Sequence, residues 1–544
     1  MKQKNKIFSL RTKIEATIVA AILITITIGS VFADVQRTIK NNKETISNGT
    51  YYYEGNYDFI TGSHFNLTNK IYNSKGHIWN TSGANLQLAI YDLENKTGTV
   101  YLPAGVITFT SSSGTPTRAL NLGSNMILHG AGMNSTILKL GSGVDADYFI
   151  RTSGKHNWTI RDLSIDCNAW GGITDNDIGL SIDTSKDFTV KNIHVFNTSS
   201  SGIGIDTCSR GKLNCLFIDD VDDWDNTGYG VGHTAQPIAG GTNTYMILDD
   251  IHIRSNGTNA TTYYTWGLDI NAWSWCEFNN IYISGTGAGF KTINTCHNLT
   301  FNNIQMRNLT NNGSVSGYQM PAIELGLGGG NTRDCTFNNI HIEESWRAIQ
   351  VDTGGQRISF NNINIHPSTR NPETGSQGFY ISGDFIAINN AHIYNITGLG
   401  LYLYGCDDSK FSNIEINECE GAIYMENGDR NSFVNCKLTN SYGGSYGYGI
   451  LAKTSTFWTV LGCQFISNNL DGIDTTVASC NNYSIANCLF TGNAKAIDTH
   501  ASDNYHNIIG NICQLADIID LSGSVDNTTS YCNKYNNVAS ITWA

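Results

Sequence analysis

The sequence predicts an all-β protein built as a stack of short coils, and three observations support this. The same phrase recurs along the chain, as in CEFNNIYIS at 276–284, CTFNNIHIE at 335–343 and ISFNNINIH at 358–366. In each copy apolar residues alternate with polar ones, which is the period of a β-strand and excludes helical repeats. The chain also holds 56 Gly and only 6 Pro, a composition typical of many tight turns.

Composition and charge limit the partners of the chain. The 544 residues are 40% apolar, enough to bury a large core, and only 15% charged, with a formal net charge of −13. No basic patch with interleaved aromatic residues occurs, so nothing in the sequence suits a phosphate backbone. Nucleic acid is therefore not an expected partner.

The first 33 residues have the pattern of an export signal. Basic residues, among them Lys2, Arg11 and Lys13, precede an apolar run at 16–33 that ends in Ala33. Cleavage after Ala33 would release the protein, whereas an uncleaved segment would anchor it, because a run of this length suits either role. We therefore predict a secreted or cell-surface protein that meets a membrane only through this segment. Residues 34–80 are assigned to an N-terminal extension.

A short helix is predicted ahead of the first coil. In ANLQLAIYDLEN, at 84–95, apolar residues recur at helical spacing, namely Leu86, Ala89, Ile90 and Leu93. Each coil of a stack buries its faces against its neighbours, so the first coil needs a cover. We assign this helix as the N-terminal cap of a coil domain at 81–515, followed by a C-terminal cap or tail at 516–544.

Within the coil domain, an apolar ladder position follows Asn or Asp in most copies of the phrase. Ile281, Ile340 and Ile363 are examples, each preceded by Asn. Asn and Asp tolerate the left-handed conformation, so a sharp bend between two strands is predicted in every coil. A second series of strands lies between the copies, as in GLDIN at 267–271 and AIELG at 322–326. Each coil therefore has three short strands.

The outward residues of this second series are the predicted functional positions. In successive coils they are Ser181, Gly204, one unassigned coil, Asp269, Lys291, Glu324, Gln350, Tyr380, Tyr402 and Tyr424. Asp269 and Glu324 are expected two rungs apart, about 9 to 10 Å between backbones. Side chains could shorten that separation to the one used by an inverting carboxylate pair, with Lys291 between them either keeping one carboxylate ionised or orienting a uronate. The alternative is a solvated ladder of ion pairs.

Aromatic and charged residues near these positions indicate a carbohydrate site. One group is Trp266, Trp273 and Trp275, and another is Glu343, Glu344, Trp346 and Arg347. Aromatic faces stack on sugar rings, so we predict that these residues bind substrate together with Tyr380 and Tyr402, and that Arg347 assists catalysis. Tryptophan also closes turns in coiled β proteins, which is the structural alternative.

The acidic stretch FIDDVDDWD, at 217–225, is a candidate metal site. Asp220, Asp222, Asp223 and Asp225 supply oxygen ligands of the kind that Ca²⁺ prefers. Their spacing matches no EF-hand loop, so calcium is a hypothesis, and no other cofactor is predicted.

The cysteines include no Cys-x-x-Cys metal pair. Cys436, Cys463 and Cys488 occupy the inward ladder position of three consecutive coils, which predicts a buried stack that packs like small apolar residues. A disulfide between two rungs is the alternative, and Cys208 and Cys215 are close enough in sequence to bridge a turn.

One stretch resembles a known family. ANLQLAIYDLENKTGTVYLPAGVITF followed by LNLGSNMILHGAGMNSTILKL is similar to the opening of the pectate-lyase-like superfamily, where a cap helix leads to a Gly-Thr-Val-Tyr-Leu-Pro-Ala-Gly strand and turn and then to a Gly-x-Gly turn. The resemblance covers residues 80–515 and implies a right-handed parallel β-helix. The superfamily includes pectate lyases, polygalacturonase-like hydrolases and phage tailspike depolymerases, so a polysaccharide partner is implied, and a homotrimer is possible because tailspike relatives form trimers.

The chain departs from the catalytic motifs of polygalacturonases. Asp175 and Asp177 match their Asn-Thr-Asp motif only faintly, the next coil lacks the Asp-Asp pair, and Gly-His-Gly and Arg-Ile-Lys do not occur. For the base of a pectate lyase, Lys291 and Arg347 are the near candidates. Two hypotheses follow. The protein is a hydrolase or lyase that cleaves an acidic or cell-surface polysaccharide with Asp269 and Glu324, or it is a non-catalytic surface protein that binds glycan.

Overall fold

Each copy of the repeated phrase pairs in parallel with the next, and the chain winds into a right-handed parallel β-helix, as predicted. Phe301, Phe337 and Phe360 of three successive copies are in register, and so are the ladder isoleucines that follow them. Alternation turns these apolar residues inward and the intervening polar residues outward. The core is therefore a file of side chains stacked along the inside of the rod.

The computed structural model describes residues 69–93, 96–114, 116–168, 178–198, 200–221, 238–254, 266–309, 320–327, 329–366, 376–500 and 502–514, with the strand segments 44–47, 50–53, 519–520, 529–531, 534–536 and 541–542. Before the coils lie four strands with antiparallel pairing, Glu44–Ser47, Thr50–Tyr53, Lys70–Asn73 and Ile78–Asn80. The one helix of these residues is Gly83–Leu93.

We call the strands that carry the bends the first sheet. They are Gly98–Tyr101, Gly105–Phe109, Met126–His129, Thr136–Leu140, His156–Asp166, Lys186–Thr198, Lys212–Val221, Ile247–Arg254, Ser274–Ser284, Cys296–Arg307, Thr332–Glu343, Gly355–His366, Ala387–Tyr394, Lys410–Asn417, Ser432–Val434, Lys437–Thr439, Thr459–Leu461, Gln464–Ile466, Ser484–Ala486, Leu489–Thr491, Asn507–Ile509, Ile512–Gln514, Thr529–Tyr531 and Lys534–Asn536.

We call the intervening strands the second sheet. They are Arg118–Asn121, Tyr148–Ser153, Ile178–Asp183, Ile203–Asp206, Ile238–Gly240, Trp266–Asn271, Ala288–Ile293, Pro321–Leu327, Arg347–Val351, Gln377–Ile381, Leu399–Tyr404, Gly421–Glu426, Ile450–Lys453, Ile473–Asp474, Ile497–Asp498, Ile519–Asp520 and Ile541–Thr542. Parallel pairing continues to this last strand, beyond the boundary predicted at 515.

The predicted bend is confirmed at the Asn before each ladder residue. Asn280, Asn303, Asn339, Asn362 and Asn390 have φ between 54° and 58°. The last four amides each donate a hydrogen bond to the Asn amide oxygen of the preceding rung, for example Asn339 to Asn303 at 3.0 Å and Asn362 to Asn339 at 3.0 Å, whereas Asn280 donates to Asp249 Oδ1 at 2.8 Å. Asn therefore suits this position for two reasons: its backbone tolerates the left-handed conformation, and its side chain forms hydrogen bonds from rung to rung.

We expect two substitutions of Asn339 to separate these contributions. Asn339→Gly removes the side-chain hydrogen bonds, but glycine adopts φ 56° without strain. Asn339→Ala removes the same hydrogen bonds and also places a β-carbon on a residue in the left-handed region. The Ala variant should lose about 1 to 2 kcal/mol more unfolding free energy than the Gly variant. Urea denaturation followed by circular dichroism measures both, and equal losses would show that backbone strain plays no part.

The helix Gly83–Leu93 forms where an N-terminal helix is predicted, and all four residues of its predicted apolar stripe are buried. Ser82 precedes it and accepts a hydrogen bond from the Asn85 amide at 3.2 Å, as an N-cap does. Gln87 joins the helix to the second sheet, since its Oε1 accepts from the Asn121 amide at 2.8 Å. No helix of the described residues is long and apolar enough to cross a membrane, and the apolar run at 16–33 lies outside them.

The predicted cysteine stack is confirmed. Cys436, Cys463 and Cys488 are buried on consecutive rungs, and the Cys436 amide donates to Cys463 Sγ at 3.3 Å. Every cysteine of the described residues is a free thiol, so Cys208 and Cys215 do not form the bridge considered from the sequence. Burial raises the pKa of the Cys208 thiol to about 12, which keeps it protonated.

Candidate functional site

The outward residues of the second sheet form one column along the rod, which we call the column. In register from one rung to the next it contains Arg151, Ser181, Gly204, Ala239, Asp269, Lys291, Glu324, Gln350, Tyr380, Tyr402 and Tyr424. The predicted order is confirmed, and Ala239 belongs to the coil that the sequence left unassigned. Neighbouring members are about 4.8 Å apart along the rod.

Asp269, Lys291 and Glu324 occupy three consecutive rungs of the column. Lys291 Nζ lies 3.6 Å from Asp269 Oδ2, and both side chains are largely shielded from solvent. The Glu324 side chain is fully buried, and its Oε1 accepts a hydrogen bond from Gln350 Nε2 at 3.2 Å. From the sequence, both carboxylates were predicted to face outward. In the structure Asp269 borders a cleft, while Glu324 is enclosed.

Arg347 lies on the rung after Glu324, next to the column. Its guanidinium donates a hydrogen bond to Gln350 Oε1 and lies 4.6 Å from the ring centroids of both Trp346 and Tyr380. Because Gln350 also donates to Glu324, it links Arg347 and Glu324, two of the four residues that were predicted to act in catalysis. Trp346 and Tyr380 support the guanidinium through cation–π contacts.

Beyond Gln350 the column is aromatic. The rings of Tyr380 and Tyr402 meet edge to face at 5.2 Å, and those of Tyr402 and Tyr424 stack at 5.1 Å. All three rings are partly exposed. Burial, helped by the nearby Glu426 carboxylate, raises the pKa of Tyr402 to about 12, so its hydroxyl stays protonated. These rings offer apolar faces and hydrogen-bonding hydroxyls, the two features that sugar rings require.

A cleft of about 820 Å³ lies over the N-terminal half of the column. Ser181, Gly204 and Ala239 form its floor, and their small side chains leave the space open. Arg151 stands at one end and Asp269 at the other. Sequence reasoning missed this cleft because small residues carry no chemical signature. The available signal was three small outward residues in successive coils between an arginine and an aspartate.

Two further carboxylates border the cleft, Asp183 and Asp206 on adjacent rungs. Asp183 accepts hydrogen bonds from Ser153 Oγ at 2.9 Å, Thr184 Oγ1 at 2.7 Å and Arg151 Nη2 at 3.3 Å. Burial acts to raise the pKa of Asp183, but these hydrogen bonds outweigh it and hold the pKa below its usual value. Asp183 is therefore a charged wall of the cleft, and its proton affinity is too low for a general acid.

Two of the four tryptophans predicted to bind sugar, Trp266 and Trp273, are buried in this structure. Trp273 is 1% exposed and stacks on Phe278 in the core with ring centroids 5.6 Å apart. Trp266 is also buried, with Lys291 Nζ 5.4 Å from its ring centroid. Neither ring can present a face to substrate, because one fills the core and the other supports a column residue.

Trp275 differs from them, since it is 53% exposed at a corner of the coil. Its ring stacks on Tyr245 with centroids 6.4 Å apart. Ala272, three residues before Trp275, lines the cleft, so the corner pair lies within about 11 Å of the cleft rim along the chain. Trp275 thus stays a predicted sugar-binding residue.

Glu343 and Glu344 lie away from the column. Glu343 ends a strand of the first sheet, where it pairs with His341 at 2.6 Å and Arg307 at 3.2 Å. The hydrogen bond from His341 is the main cause that lowers the Glu343 pKa. Glu344 follows in the turn with φ 59°. That both residues bind substrate stays a prediction, and in this structure Glu343 lies on the first sheet and is engaged by His341 and Arg307.

The calcium hypothesis falls mainly on residues outside the described part of the chain. Asp222, Asp223 and Asp225 are not described, and Asp220 is described only as part of the strand Lys212–Val221. In the ranges that are described, no three His, Cys, Asp or Glu side chains are grouped to hold a metal ion. Calcium at this stretch stays a prediction.

An acidic patch that the sequence reasoning did not single out lies further along the same face. Asp474, Asp498 and Asp520 follow one another in register, and Lys495 pairs with Asp498 and, at 2.9 Å, with Asp520. Burial, together with the charges of Asp474 and Asp498, raises the pKa of the neighbouring Asp471 to about 7. One lysine among four carboxyl groups leaves this end of the face acidic.

Comparisons with known proteins agree with the fold. Residues 347–513 match the family described as "Right handed beta helix region". Comparison of the chain with curated proteins gives no match. Among solved structures, the N-terminal fragment of gene product 12 from bacteriophage phi29 is similar, with 12% identity, a TM-score of 0.54, and coverage of 84% of this chain and 92% of that chain.

Two further solved structures are similar at the same low level of identity. Pre-mature gene product 12 from bacteriophage phi29 has 11% identity and a TM-score of 0.52, with coverage of 82% of this chain and 72% of that chain. The A-module of a mannuronan C-5 epimerase from Azotobacter vinelandii has 14% identity and a TM-score of 0.25, with coverage of 84% and 95%. At such identities the likeness concerns the fold alone.

Proposed function

We propose that this protein is exported, binds an extended polysaccharide along the column and cleaves it beside Asp269. One observation carries the proposal, the continuity of the column. A cleft with a floor of small residues leads to the charged rungs of Asp269, Lys291 and Glu324, and these lead to a strip of partly exposed tyrosines. A long surface with a few convergent polar groups suits a long polymeric ligand. The basic and apolar residues at the N-terminus support export.

The surroundings of the two carboxyl groups favour different protonation states. The Lys291 ammonium, 3.6 Å from Asp269, favours the ionised form of that carboxylate. Complete burial of Glu324 favours the neutral form of a carboxyl group. Two carboxyl groups whose surroundings favour opposite protonation states are typical of a catalytic base and a catalytic acid. Asp269 is therefore assigned as the base or nucleophile and Glu324 as the proton donor, in either a hydrolase or a lyase.

Arg347 and the tyrosines are assigned to substrate binding. The guanidinium of Arg347 is oriented by Trp346 and Tyr380, and the rings of Tyr402 and Tyr424 continue the surface. Partly exposed aromatic faces give apolar contact to sugar rings, and their hydroxyl groups exchange hydrogen bonds with those of the sugar. Binding on this side then positions the scissile bond over Asp269.

The direct test is incubation of the purified protein with a panel of neutral and acidic polysaccharides, with and without Ca²⁺. New reducing ends report cleavage of either kind, and absorbance of unsaturated uronate reports elimination, so the two readouts distinguish a hydrolase from a lyase. Formation of either product supports the proposal. If every polysaccharide remains intact with and without Ca²⁺, the cleavage step is rejected.

The burial of Glu324 favours a second candidate, a non-catalytic glycan-binding protein. Glu324 is 0% exposed and hydrogen-bonded to Gln350, and such surroundings are also typical of a residue with a purely structural role. In this alternative the column and cleft bind glycan without breaking it. Retarded migration in affinity electrophoresis, with no product from the same polysaccharide, would favour this candidate over the enzyme.

A substitution that fills the cleft should block binding without disturbing the fold. A β-carbon added at Gly204 would have Ile178 as its nearest neighbour, at an ordinary contact distance of 3.6 Å. Gly204→Tyr should therefore fold normally and place a ring on the cleft floor, raising the dissociation constant at least about tenfold, or 1.4 kcal/mol. Gly204→Ala is the matched control and should bind nearly as the parent does. Affinity electrophoresis measures both, and unchanged binding by the Tyr variant would exclude the cleft.

A further inference from the structure

A second cavity lies at the N-terminal end of the column. It has a volume of about 340 Å³ and is bounded by the helix Gly83–Leu93 and by the first two strands of the second sheet. Tyr91 of the helix forms one side, and Asn121 and Ser153 contribute amide and hydroxyl groups. The walls are therefore mixed, with an apolar side from the helix and a polar side from the sheet.

The charged residues that line this cavity are all basic. Arg118, Arg151 and Lys155 line it, and no carboxylate is among its lining residues. The Arg118 guanidinium donates a hydrogen bond to the Pro116 carbonyl at 3.4 Å and forms no ion pair with a carboxylate of the described residues. Arg151 is paired with Asp183 at 3.3 Å, outside the cavity lining. In a chain of net charge −13, three cations around one cavity without a lining anion are a local reversal of charge.

We infer that this basic pocket binds an anionic group of the polysaccharide, a carboxylate, sulfate or phosphate carried on a sugar, and this inference rests on the proposed function. Guanidinium groups bind such anions through paired N–H donors, and partial burial strengthens the attraction because water screens it less. Asn121 and Ser153 add neutral hydrogen bonds of the kind that sugar hydroxyls use. The ligand class is thus an acidic glycan, and the pocket selects against neutral chains.

Arg151 connects the pocket to the cleft, because it lines both. From Arg151 the column passes through Ser181, Gly204 and Ala239 to Asp269, four rungs or about 19 Å. An acidic group held in the pocket and a bond positioned at Asp269 therefore belong to one chain of several sugar units. Short oligosaccharides should reach only one of the two positions, so affinity should rise with length until both are occupied.

The first experiment uses small anions, so that its result does not depend on cleavage. The intact protein is treated with phenylglyoxal, an arginine reagent, in the presence of glucuronate, glucose 6-sulfate, glucose 6-phosphate, inorganic phosphate or neutral glucose, and modified peptides are identified by mass spectrometry. Protection of Arg118 and Arg151 by the anionic sugars but not by glucose is the expected result. If none of the anionic sugars protects Arg118, the pocket does not bind them and the inference is overturned.

The second experiment uses variants and polymers. Arg118→Gln should weaken binding of acidic polysaccharides about tenfold to a hundredfold, the range for a hydrogen bond to a charged group, while Arg118→Lys should lose less because it keeps the charge. Lys212→Gln, an exposed residue on a strand of the first sheet, is the matched control and should bind like the parent. The affinity of the parent for acidic chains should also fall with added salt.

The two experiments separate failure of the inference from failure of the proposed function. If Arg118→Gln binds acidic and neutral polysaccharides as the parent does, the pocket is not a subsite, although binding along the column stands. If anionic sugars protect Arg118 but no polysaccharide binds or is cleaved, the proposed function fails, and the inference fails as a statement about a glycan chain. Equal protection by inorganic phosphate and by every anionic sugar, without preference for acidic polymers, would show a nonspecific anion site and overturn it as well.

Discussion

Asp269→Asn is expected to lower the rate of polysaccharide cleavage about a hundredfold to ten-thousandfold, the range for loss of an acid or base group. Asn keeps the shape of the side chain but removes the charge that faces Lys291 Nζ at 3.6 Å. Lys291 is largely buried, so the lost attraction should also reduce stability, since a shielded cation loses its partner. Binding along the tyrosines should persist, because those contacts lie on other rungs. The expected signature is a fall in kcat with little change in KM.

The controls distinguish catalysis from folding. Glu277→Gln removes an exposed carboxylate from a strand of the first sheet and should leave the rate unchanged. Glu324→Gln should reduce the rate like Asp269→Asn, because an amide cannot donate the proton assigned to Glu324. Circular dichroism and thermal denaturation of all three variants report the fold. A rate for Asp269→Asn equal to that of the parent, from folded protein, would remove Asp269 from the reaction.

The column could be predicted from sequence because it depends on alternation alone. Once Ile323 and Ile349 are placed inward, the next residue of each strand, Glu324 or Gln350, must face outward. The pairing of the two isoleucines then also pairs Glu324 with Gln350. Burial of an outward residue is a different quantity, since it depends on what neighbouring rungs and loops place above the sheet. For that reason the sequence placed Glu324 in the right position but with the wrong exposure.

The tryptophans show the same limit. Trp273, Trp275 and Trp266 are close in sequence, and clustering alone predicted one sugar-binding surface. In the structure a corner of the coil separates them, so Trp273 packs on Phe278 in the core while Trp275, two residues later, is exposed. Backbone turns decide the direction of each ring, and those turns depend on positive φ at positions such as Ala272 and Trp275. Neither residue type favours positive φ, so the turns could not be predicted from the sequence.

The cleft and the basic pocket could not be predicted from the sequence for a related reason. Both are spaces, and a space is defined by the side chains that are absent or by residues far apart in the chain. Gly204 and Ala239 create the cleft by being small, while Tyr91 and Lys155 meet at the pocket although they are 64 positions apart in the sequence. The repeat pattern predicts rungs and register well, but cavities appear only when the rungs are stacked and the helix is docked.

The core stack gives the largest expected effect on stability. Phe301 is fully buried, and its ring lies 4.4 Å from Phe278, 4.5 Å from Phe337 and 4.9 Å from Phe290. It therefore contacts the rungs on both sides as well as the facing sheet. Phe301→Ala would remove those contacts and leave a cavity that a stacked rod cannot easily close, because each rung is held in register by its neighbours. The expected loss of unfolding free energy is about 3 to 5 kcal/mol.

Phe385→Ala is the matched control for this substitution, since it deletes the same atoms from a ring that is 51% exposed at a coil corner. Its cost should stay within about 0.5 kcal/mol, as for most surface positions. Guanidinium denaturation followed by circular dichroism compares the two variants with the parent. In a solenoid the loss can be local, so hydrogen exchange should show faster opening first in the rungs of Phe278 and Phe337. Equal stability of the two variants would mean that the aromatic file does not hold the rungs together, and that the backbone ladders alone stabilise the rod.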